Sequence, residues 1–267
     1  MDNQVRDDMQ QGSAALKIPV LLVPFISIIA ILQLVGCDRQ PPHRKAQATL
    51  SGGIGRAALN VPADAVFIWE VARRSSRSNA DCGQPLASAA LKFLWPEMEP
   101  SGGPAVYWKN RSRFGPNGDA NWLEIGMSQG TPSADVSLKK LRDSSLYRRN
   151  SQGLPPGFMF EYGFDAATGL EIAYPNVART EARYWNRIFY SDAIARSAHP
   201  TTLISCMTGP QFNPPEWTPS CSQSIVHDDF DHVSISITYR ENLLPHWQQI
   251  EADVRAYLDR ISSRCPA

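Results

Sequence analysis

The chain has 267 residues, and its 26 Lys and Arg balance its 26 Asp and Glu, so the formal net charge at pH 7 is zero. Nucleic acid binding requires a concentrated basic surface, and a neutral chain with only short basic clusters gives no reason to expect it. About 200 residues follow residue 64, and this length is enough for one domain with a substantial core.

The first element is an uncharged, mostly aliphatic run over residues 18–37. A stretch of about 20 apolar residues can span a bilayer as a helix, which is the signal-anchor interpretation. Pro19 and Pro24 interrupt the run, however, and the remaining apolar core at residues 25–35 has the length found in a cleaved signal peptide. Aspartates between Met1 and Met9 are unfavourable for a signal peptide, and translation from Met9 would remove them.

The run ends in Leu34-Val35-Gly36-Cys37, a large aliphatic residue and two smaller ones before a cysteine. This motif resembles the lipobox of bacterial lipoproteins, in which the cysteine sulfur receives a diacylglyceryl group and the chain is cleaved before it. The resemblance implies a signal peptide or signal anchor over residues 1–36, lipidation of Cys37, and membrane anchoring at the periplasmic side. In enterobacterial lipoproteins an Asp after the cysteine is an inner-membrane retention signal, so Asp38 favours the inner membrane.

Residues 37–64 are predicted to be the lipidated cysteine and a flexible tether, because prolines and glycines interrupt any periodicity. A single domain is then predicted over residues 65–267. Its predicted elements are, in chain order, a buried strand at Ala65–Val71, a short helix at Ser88–Leu94, strands at Ala105–Trp108 and Asn121–Met127, a helix at Ser133–Leu141, a hairpin over residues 158–174, and strands at Arg183–Tyr190 and Thr201–Cys206.

The C-terminal part carries the clearest pattern. Apolar residues alternate with hydroxyl residues from Val233 to Tyr239, as expected of a strand with one buried face. Apolar residues at spacings of three and four then predict an amphipathic helix from about Leu244 to Ser262. The fold class is therefore predicted to be α+β, a mainly antiparallel sheet with a C-terminal amphipathic helix packed on it.

Four cysteines follow Cys37, and an even number in an exported domain indicates two disulfides. Three pairings of Cys82, Cys206, Cys221 and Cys265 are possible. The pair Cys206–Cys221 is favoured because several prolines lie between these residues, as in a stiff loop closed at its base; Cys82–Cys265 would be the second pair. No Cys-x-x-Cys pair and no zinc-like spacing is present, and we predict neither a metal site nor a cofactor.

Two motifs are candidates for catalysis or metal binding. Residues 126–130, Gly-Met-Ser-Gln-Gly, match the nucleophile elbow of serine hydrolases, in which a tight strand-to-helix turn presents the serine, here Ser128. Thr131-Pro132 follow where the helix should begin, so a polar turn is favoured. The segment His227–His232 combines two imidazoles and three carboxylates, but between two strands this composition is typical of a turn.

The remaining charged and imidazole side chains are interpreted as structural or solvated. His199 and His246 are predicted to be structural or exposed. Short basic clusters are typical of solvated faces, and three are present: Arg73-Arg74-Arg77, Lys139-Lys140-Arg142 and Arg148-Arg149.

Trp217 and Phe212 lie in the proline-rich segment between Cys206 and Cys221. A loop closed by a disulfide and carrying two aromatic rings predicts a partner-binding surface, because aromatic side chains anchor interfaces and a rigid loop loses little entropy on binding. The alternative is that both rings pack onto the domain.

These features predict a noncatalytic, extracytoplasmic protein-binding lipoprotein anchored to a membrane. Its layout resembles that of envelope lipoproteins that act as immunity partners of secreted antibacterial effectors, such as lipases, which implies a secreted effector protein as the partner. Two alternatives remain: an envelope assembly or structural lipoprotein, and an extracytoplasmic serine hydrolase that uses Ser128.

Overall fold

Antiparallel sheet dominates the described part of the molecule. The computed structural model describes residues 48–72, 82–114, 118, 121–129, 137–146, 159–176, 187–207, 219–227, 230 and 233–265. Cys37, the apolar run, Phe212 and Trp217 lie outside these ranges. The class is α+β and mainly sheet, as the sequence predicts.

The described strands are numbered in chain order: β1 (Thr49–Ile54), β2 (Ala57–Pro62), β3 (Val66–Val71), β4 (Leu86–Leu94), β5 (Glu99–Pro100), β6 (Trp122–Gln129), β7 (Phe160–Asp165), β8 (Leu170–Pro175), β9 (Arg187–Ser191), β10 (Leu203–Met207), β11 (Ser220–Ile225), β12 (Val233–Arg240) and β13 (Ser262–Arg264). The described helices are α1 (Gly103–Lys109), α2 (Arg111–Phe114), α3 (Leu138–Leu146) and α4 (Trp247–Ile261), the last preceded by a 3₁₀ helix at Glu241–His246.

Ten of these strands form one sheet in the order β3-β4-β6-β12-β11-β10-β9-β8-β7, with β5 paired to β4 beside this path. A smaller sheet has the order β1-β2-β13. All neighbouring strands in both sheets are antiparallel. As in any β-strand, successive side chains of each strand point to opposite faces of the large sheet.

One face of the large sheet, here called the core face, is apolar and lies under α4. Ile237 and Leu123 of the sheet and Ile250 and Val254 of α4 are completely buried in one cluster. The ring centroids of Phe93 and Tyr257 lie 4.5 Å apart in an edge-to-face arrangement. This stripe of α4 is the one that the spacing of apolar residues predicts, so the C-terminal strand–helix prediction is confirmed.

Polar contacts fix the position of α4 across the sheet. The indole N–H of Trp95 donates to Asp253 at 3.0 Å, and the indole N–H of Trp247 donates to the carbonyl of Thr168 at 3.0 Å. The amide of Gln223, which is buried in the sheet, donates to Glu251 at 2.6 Å. These contacts reach α4 from both ends of the sheet and fix its register on the core face.

Two predicted elements are wrong in type. Ser88–Leu94, predicted as a short helix, belongs to β4, because pairing with β3 and β6 on both sides overrides helix propensity. Ala105–Trp108, predicted as a strand, belongs to α1, where Pro104 occupies the first helical turn, a position that favours proline.

The predicted tether is also wrong for most of its length. β1 and β2 form a hairpin that pairs with β13, and Ile54, Leu59 and Val61 are buried in the main core cluster. The glycines of this hairpin let the backbone pack closely against neighbouring residues and do not make the segment a flexible tether. A Cβ on Gly53 would lie 2.7 Å from the Cβ of Cys82, so the backbone passes directly against the cysteine.

Other predicted elements are confirmed with shifted ends. The strands near residues 66–71, 122–129, 187–191 and 203–207 and the hairpin of β7 and β8 are present. β3, predicted as buried, instead forms one edge of the sheet. The third helix begins at Leu138, where the Ser137 hydroxyl accepts a hydrogen bond from the Lys140 amide at 3.2 Å. None of the described helices has the length and apolar content to cross a bilayer.

Candidate partner-binding surfaces

The base of the predicted aromatic loop is a cross-strand disulfide. Cys206 of β10 and Cys221 of β11 face each other in register, with their Cα atoms 4.0 Å apart, and both side chains are completely buried. Met207 and Ser220 form the next pair outward. The chain therefore leaves β10 after Met207 and enters the adjacent strand β11 at Ser220, directly outside a covalent link.

The second disulfide joins Cys82 to Cys265, with a Cα–Cα distance of 5.5 Å and 182 intervening residues, since the sequence separation is 183. It connects the segment before β4 to the end of β13. The two pairs are those that the sequence favours. Disulfides form and persist outside the reducing cytoplasm, so two of them in one chain are typical of an extracytoplasmic protein.

The second face of the large sheet, here called the hydroxyl face, has small polar side chains in its middle. Ser205, Ser222 and Thr238 stand side by side on neighbouring strands, and all three are half-buried. The next row contains Ser224, Ser236 and Gly126. A Cβ on Gly126 would lie 2.9 Å from the Ser236 hydroxyl, so this row is closely packed.

Ser128 belongs to this hydroxyl face and not to a nucleophile elbow. It lies inside β6, which continues to Gln129, and it pairs with Ser88 on one side and Ser234 on the other. The elbow requires a tight turn at the serine, and the chain is extended there. For the same reason, the interpretation as a polar turn is wrong for residues 126–129; Gly130 lies outside the described residues. The cross-strand neighbours of Ser128 supply hydroxyls where a hydrolase needs an imidazole.

His227 is a structural histidine at the end of β11. Its Nε2 lies 3.2 Å from the Asp259 carboxylate of α4, and its ring meets the buried Phe230 ring at right angles, with centroids 5.2 Å apart. Asp228, Asp229, Asp231 and His232 lie outside the described residues. The described part of the chain contains no group of three or more side chains placed to bind a metal ion. His199 and His246 are exposed.

Arg142 corrects the interpretation of its basic cluster as a solvated face. Its side chain is completely buried, although it lies beside the more exposed Lys139. The guanidinium donates to Asp143 at 2.8 and 3.0 Å. It also donates, at 2.8 to 3.0 Å, to the backbone carbonyls of Ala193, Ala195, Arg196 and Ala198.

This arrangement makes Arg142 the centre of the loop between β9 and β10, because a guanidinium has five donors in a fixed plane. Hydrogen bonding from Lys139, together with Arg142, holds the pKa of Asp143 below its usual value. A sequence signal for this burial exists. Leu138, Arg142 and Leu146 follow each other at a spacing of four and share one buried face of α3.

Lys92 is a second buried cation, at the other end of the hydroxyl face. Its ammonium lies 3.0 Å from the Glu124 carboxylate. It also lies 4.0 Å from the ring centroid of Tyr107 in α1, 4.5 Å from Phe67 and 5.0 Å from Trp122. Three aromatic rings and one carboxylate therefore surround a single positive charge, which attracts the ring faces.

The two edges of the large sheet differ. At one edge, the pairing of β3 with β4 has two register irregularities. At the other edge, β7 pairs with β8 over six consecutive residues without interruption. In the described part of the chain, β8 is the only strand paired with β7. Phe164, Met159 and Tyr162 on and beside β7 are 68%, 66% and 54% exposed. β7 is therefore a regular edge strand with exposed aromatic side chains.

The architecture is thus a disulfide-linked α+β domain in which a C-terminal helix covers one face of an antiparallel sheet. This fold is similar to that of a solved immunity protein of the Stenotrophomonas maltophilia type IV secretion system, with a TM-score of 0.53 and 18% sequence identity. The similarity covers 82% of this chain and 94% of that chain. At this identity the likeness concerns the fold. No protein-family model matches the sequence, and no curated protein matches it.

Proposed function

We propose that this chain is a membrane-anchored, extracytoplasmic, noncatalytic immunity-type lipoprotein that binds a secreted effector protein. The observation that carries the proposal is the likeness of its fold to that of an immunity protein, over 82% of this chain. The N-terminal motif supports the same conclusion, because lipidation at Cys37 would hold the domain at the surface that a secreted effector reaches. Asp38 favours retention at the inner membrane.

The aromatic loop is the proposed contact surface. Trp217 and Phe212 belong to the segment whose ends are closed by the Cys206–Cys221 disulfide. A loop with fixed ends loses less conformational entropy on binding, and a tryptophan ring buries a large area at an interface. Binding by such a surface would inhibit the effector through contact alone, without a reaction catalysed by this chain.

A competition assay between sibling cells tests the proposed function. The gene is deleted in its native host, and the deletion strain is mixed with the parental strain. We expect the parent to outcompete the deletion strain in contact, and the full-length chain supplied in trans to restore survival. Deleting the gene of the effector from the parent should remove the advantage. Equal survival of both strains would contradict the immunity function and favour an envelope assembly role.

Two variants refine the same assay. We expect Trp217→Ala to lose protection, whereas Trp108→Ala, which removes a ring that is 60% exposed on α1, should retain it. Cys37→Ala should release the protein from the membrane fraction and reduce protection. Retained protection in Trp217→Ala, at wild-type abundance, would place the contact elsewhere while leaving the immunity function intact.

A further inference from the structure

We propose that the surface formed by α1 and the adjoining part of β3 lies on a bilayer with anionic headgroups and orients the domain there. This α1 surface is defined by Ile68, Val106, Trp108 and Lys109. The inference rests on the proposed function, because lipidation at Cys37 brings the domain to the bilayer. The acyl chains provide the anchor and the α1 surface provides the orientation, so the loss of one ring in Trp108→Ala leaves the protein at the membrane.

The α1 surface exposes large apolar side chains. Trp108 is 60% exposed and Val106 is 44% exposed. Tyr107, between them, is half-buried and meets the Phe67 ring of β3 edge-on, with centroids 5.1 Å apart. Ile68, the next residue of β3, is 48% exposed. Exposed apolar side chains that lie together mark contacts with proteins or membranes, and tryptophan is enriched where a protein meets the headgroup layer.

The charge of the same segment favours an anionic partner. Residues 103–114, which form α1 and α2, contain three cations and no Asp or Glu. One of the cations, Lys109, is exposed directly after Trp108. The exposed carboxylates of the neighbouring strands, Glu70 and Glu99, lie outside these helices. Cations beside exposed apolar side chains are typical of a segment that lies in the plane of a bilayer surface and attracts anionic headgroups.

The chain enters the domain close to the start of α1. The amide of Ala63 donates to the carbonyl of Ala48, the first described residue, at 2.8 Å. A Cβ on Gly103, where α1 begins, would lie 3.9 Å from the carbonyl oxygen of Asp64, the residue after Ala63. Ten residues separate Ala48 from Cys37, and they can span at most about 35 Å. Anchoring at Cys37 would therefore keep the α1 end of the domain near the bilayer.

The hairpin of β7 and β8 has the opposite charge. It also exposes large apolar side chains, among them Met159 and Phe164, but residues 159–176 contain three carboxylates and no Lys, Arg or His. An anionic surface repels such a segment. The hairpin and β3 lie at opposite ends of the strand order, so the bilayer would attract one end of the sheet and repel the other. Lys109 also disfavours a second copy of this chain as the occupant, because two α1 surfaces would bring like charges together.

Quenching of tryptophan fluorescence by brominated lipids tests this inference. The full-length chain is expressed in a bacterium that processes lipoproteins and purified in detergent. It is then transferred to vesicles of phosphatidylethanolamine and phosphatidylglycerol with brominated acyl chains. The chain contains seven tryptophans, so comparison with Trp108→Phe isolates the contribution of Trp108. We expect the vesicles to quench the wild type at least about twofold more strongly than Trp108→Phe, because a tryptophan at the interface contacts the acyl boundary.

Separate controls test charge and position. Lys109→Glu should lower the quenching of the wild type toward the level of Trp108→Phe, and brominated phosphatidylcholine vesicles should do the same. The double variant Trp108→Phe, Phe164→Trp moves the reporter to β7, where Phe164 is exposed, and should stay at the level of Trp108→Phe. Thermal unfolding midpoints check that every variant folds.

Flotation of the vesicles separates this inference from the proposed anchor. If the wild type floats with the vesicles but is quenched no more than Trp108→Phe, the inference is wrong and the anchor stands. If the wild type does not float, both are wrong, and the competition assay still decides the immunity function.

Three other results would also overturn the inference. The first is equal quenching of the reporters at positions 108 and 164, because the contact would then not be confined to the α1 surface. The second is equal quenching in anionic and zwitterionic vesicles, because charge would then contribute nothing. The third is a wild-type dimer that Trp108→Glu dissociates in analytical ultracentrifugation, which would identify a second copy as the occupant.

Discussion

The two faces of the ten-stranded sheet are stabilised in different ways. The core face is apolar, and α4 covers it with a continuous stripe of buried side chains. The hydroxyl face has a middle of small polar side chains, and each of its ends contains a buried cation. Lys92 lies among aromatic rings at one end, and Arg142 lies among backbone carbonyls at the other.

The difference has an energetic consequence. Apolar burial is non-directional, so when one buried side chain is shortened its neighbours can shift and partly fill the cavity. A buried cation depends on a few directed contacts, and removing either partner leaves a desolvated polar group. We therefore expect the core face to respond to volume and the hydroxyl face to respond to the presence of one charge. Four substitutions test this comparison.

The largest expected effect is on the core face, for Phe93→Ala. Phe93 is completely buried against Tyr257, and deleting a buried phenyl ring usually costs about 3–5 kcal/mol of the free energy of unfolding. Equilibrium urea denaturation measures it. Phe93→Leu, which keeps most of the volume, should cost less than half as much. An equal loss in both variants would mean that ring geometry, and not volume, stabilises this face.

The second prediction concerns Arg142→Met. We expect a loss of about 3 kcal/mol, because the substitution leaves Asp143 and the carbonyls of the β9–β10 loop without their donor. Lys140→Met, on the same helix, is the control and should change stability by less than about 0.5 kcal/mol. Hydrogen exchange should become faster in residues 193–199. A nearly neutral Arg142→Met would show that the apolar contacts of α3 suffice.

A smaller effect is expected for Lys92→Met. Methionine keeps the volume beside Tyr107 and Trp122 but removes the attraction to the rings and to Glu124. Cation–π attraction at a desolvated site is worth about 2 kcal/mol, and removing the desolvation cost of the ammonium offsets part of it. We expect a net loss of about 1 kcal/mol. The double substitution with Glu124→Gln should cost less than the sum of the two single ones.

The same contrast explains how much the sequence could predict. The core face could be predicted, since the alternation along β12 and the helical spacing along α4 each report a single buried face. The buried cations could not be predicted from composition. The composition of a basic cluster gives only the number of charges that are close together in the sequence. The burial of Arg142 depends instead on its position between Leu138 and Leu146 on one helix face. β4 was predicted as a helix because its place between β3 and β6 is set by strand pairing that the local sequence does not report.

The same distinction between local and long-range information applies to two candidate surfaces, the aromatic loop and the β7 edge. The cysteine pairing followed from the exported context and the proline-rich spacing, because those features are local in sequence. The β7 edge was missed. The hairpin of β7 and β8 was correctly predicted, yet only the strand order places β7 at the end of the sheet, and strand order results from long-range pairing. The exposure of Phe164 could not be inferred from alternation, since Phe160 on the same face packs inward against Phe189.

The smallest effect is expected from Asp192, which closes the base of the loop around Arg142. Its carboxylate accepts hydrogen bonds from the Thr201 hydroxyl at 2.6 Å and from the amides of Thr201 and Thr202 at 3.0 Å. Burial alone would raise the pKa of Asp192, but these hydrogen bonds outweigh it and hold the pKa below the usual 3.8. A carboxyl whose pKa is lowered by folding stabilises the folded state above its unfolded pKa. That contribution is lost as the pH falls through the folded pKa.

Asp192→Asn should therefore cost about 0.5 kcal/mol at pH 7, the lower end of the net worth of one hydrogen bond, because Asp192 is exposed to solvent. The cost should shrink below about pH 4, where the wild-type carboxyl becomes protonated as well. Urea denaturation of both proteins at pH 7 and pH 3 measures the change. A cost that is the same at both pH values would mean that the carboxylate charge contributes nothing, and that loop geometry alone holds the carbonyls around Arg142. A cost found only at pH 7 would mean that the Asp192 carboxylate charge stabilises the loop around Arg142. The loop at the end of the hydroxyl face would then also depend on a single charge that holds several directed backbone contacts.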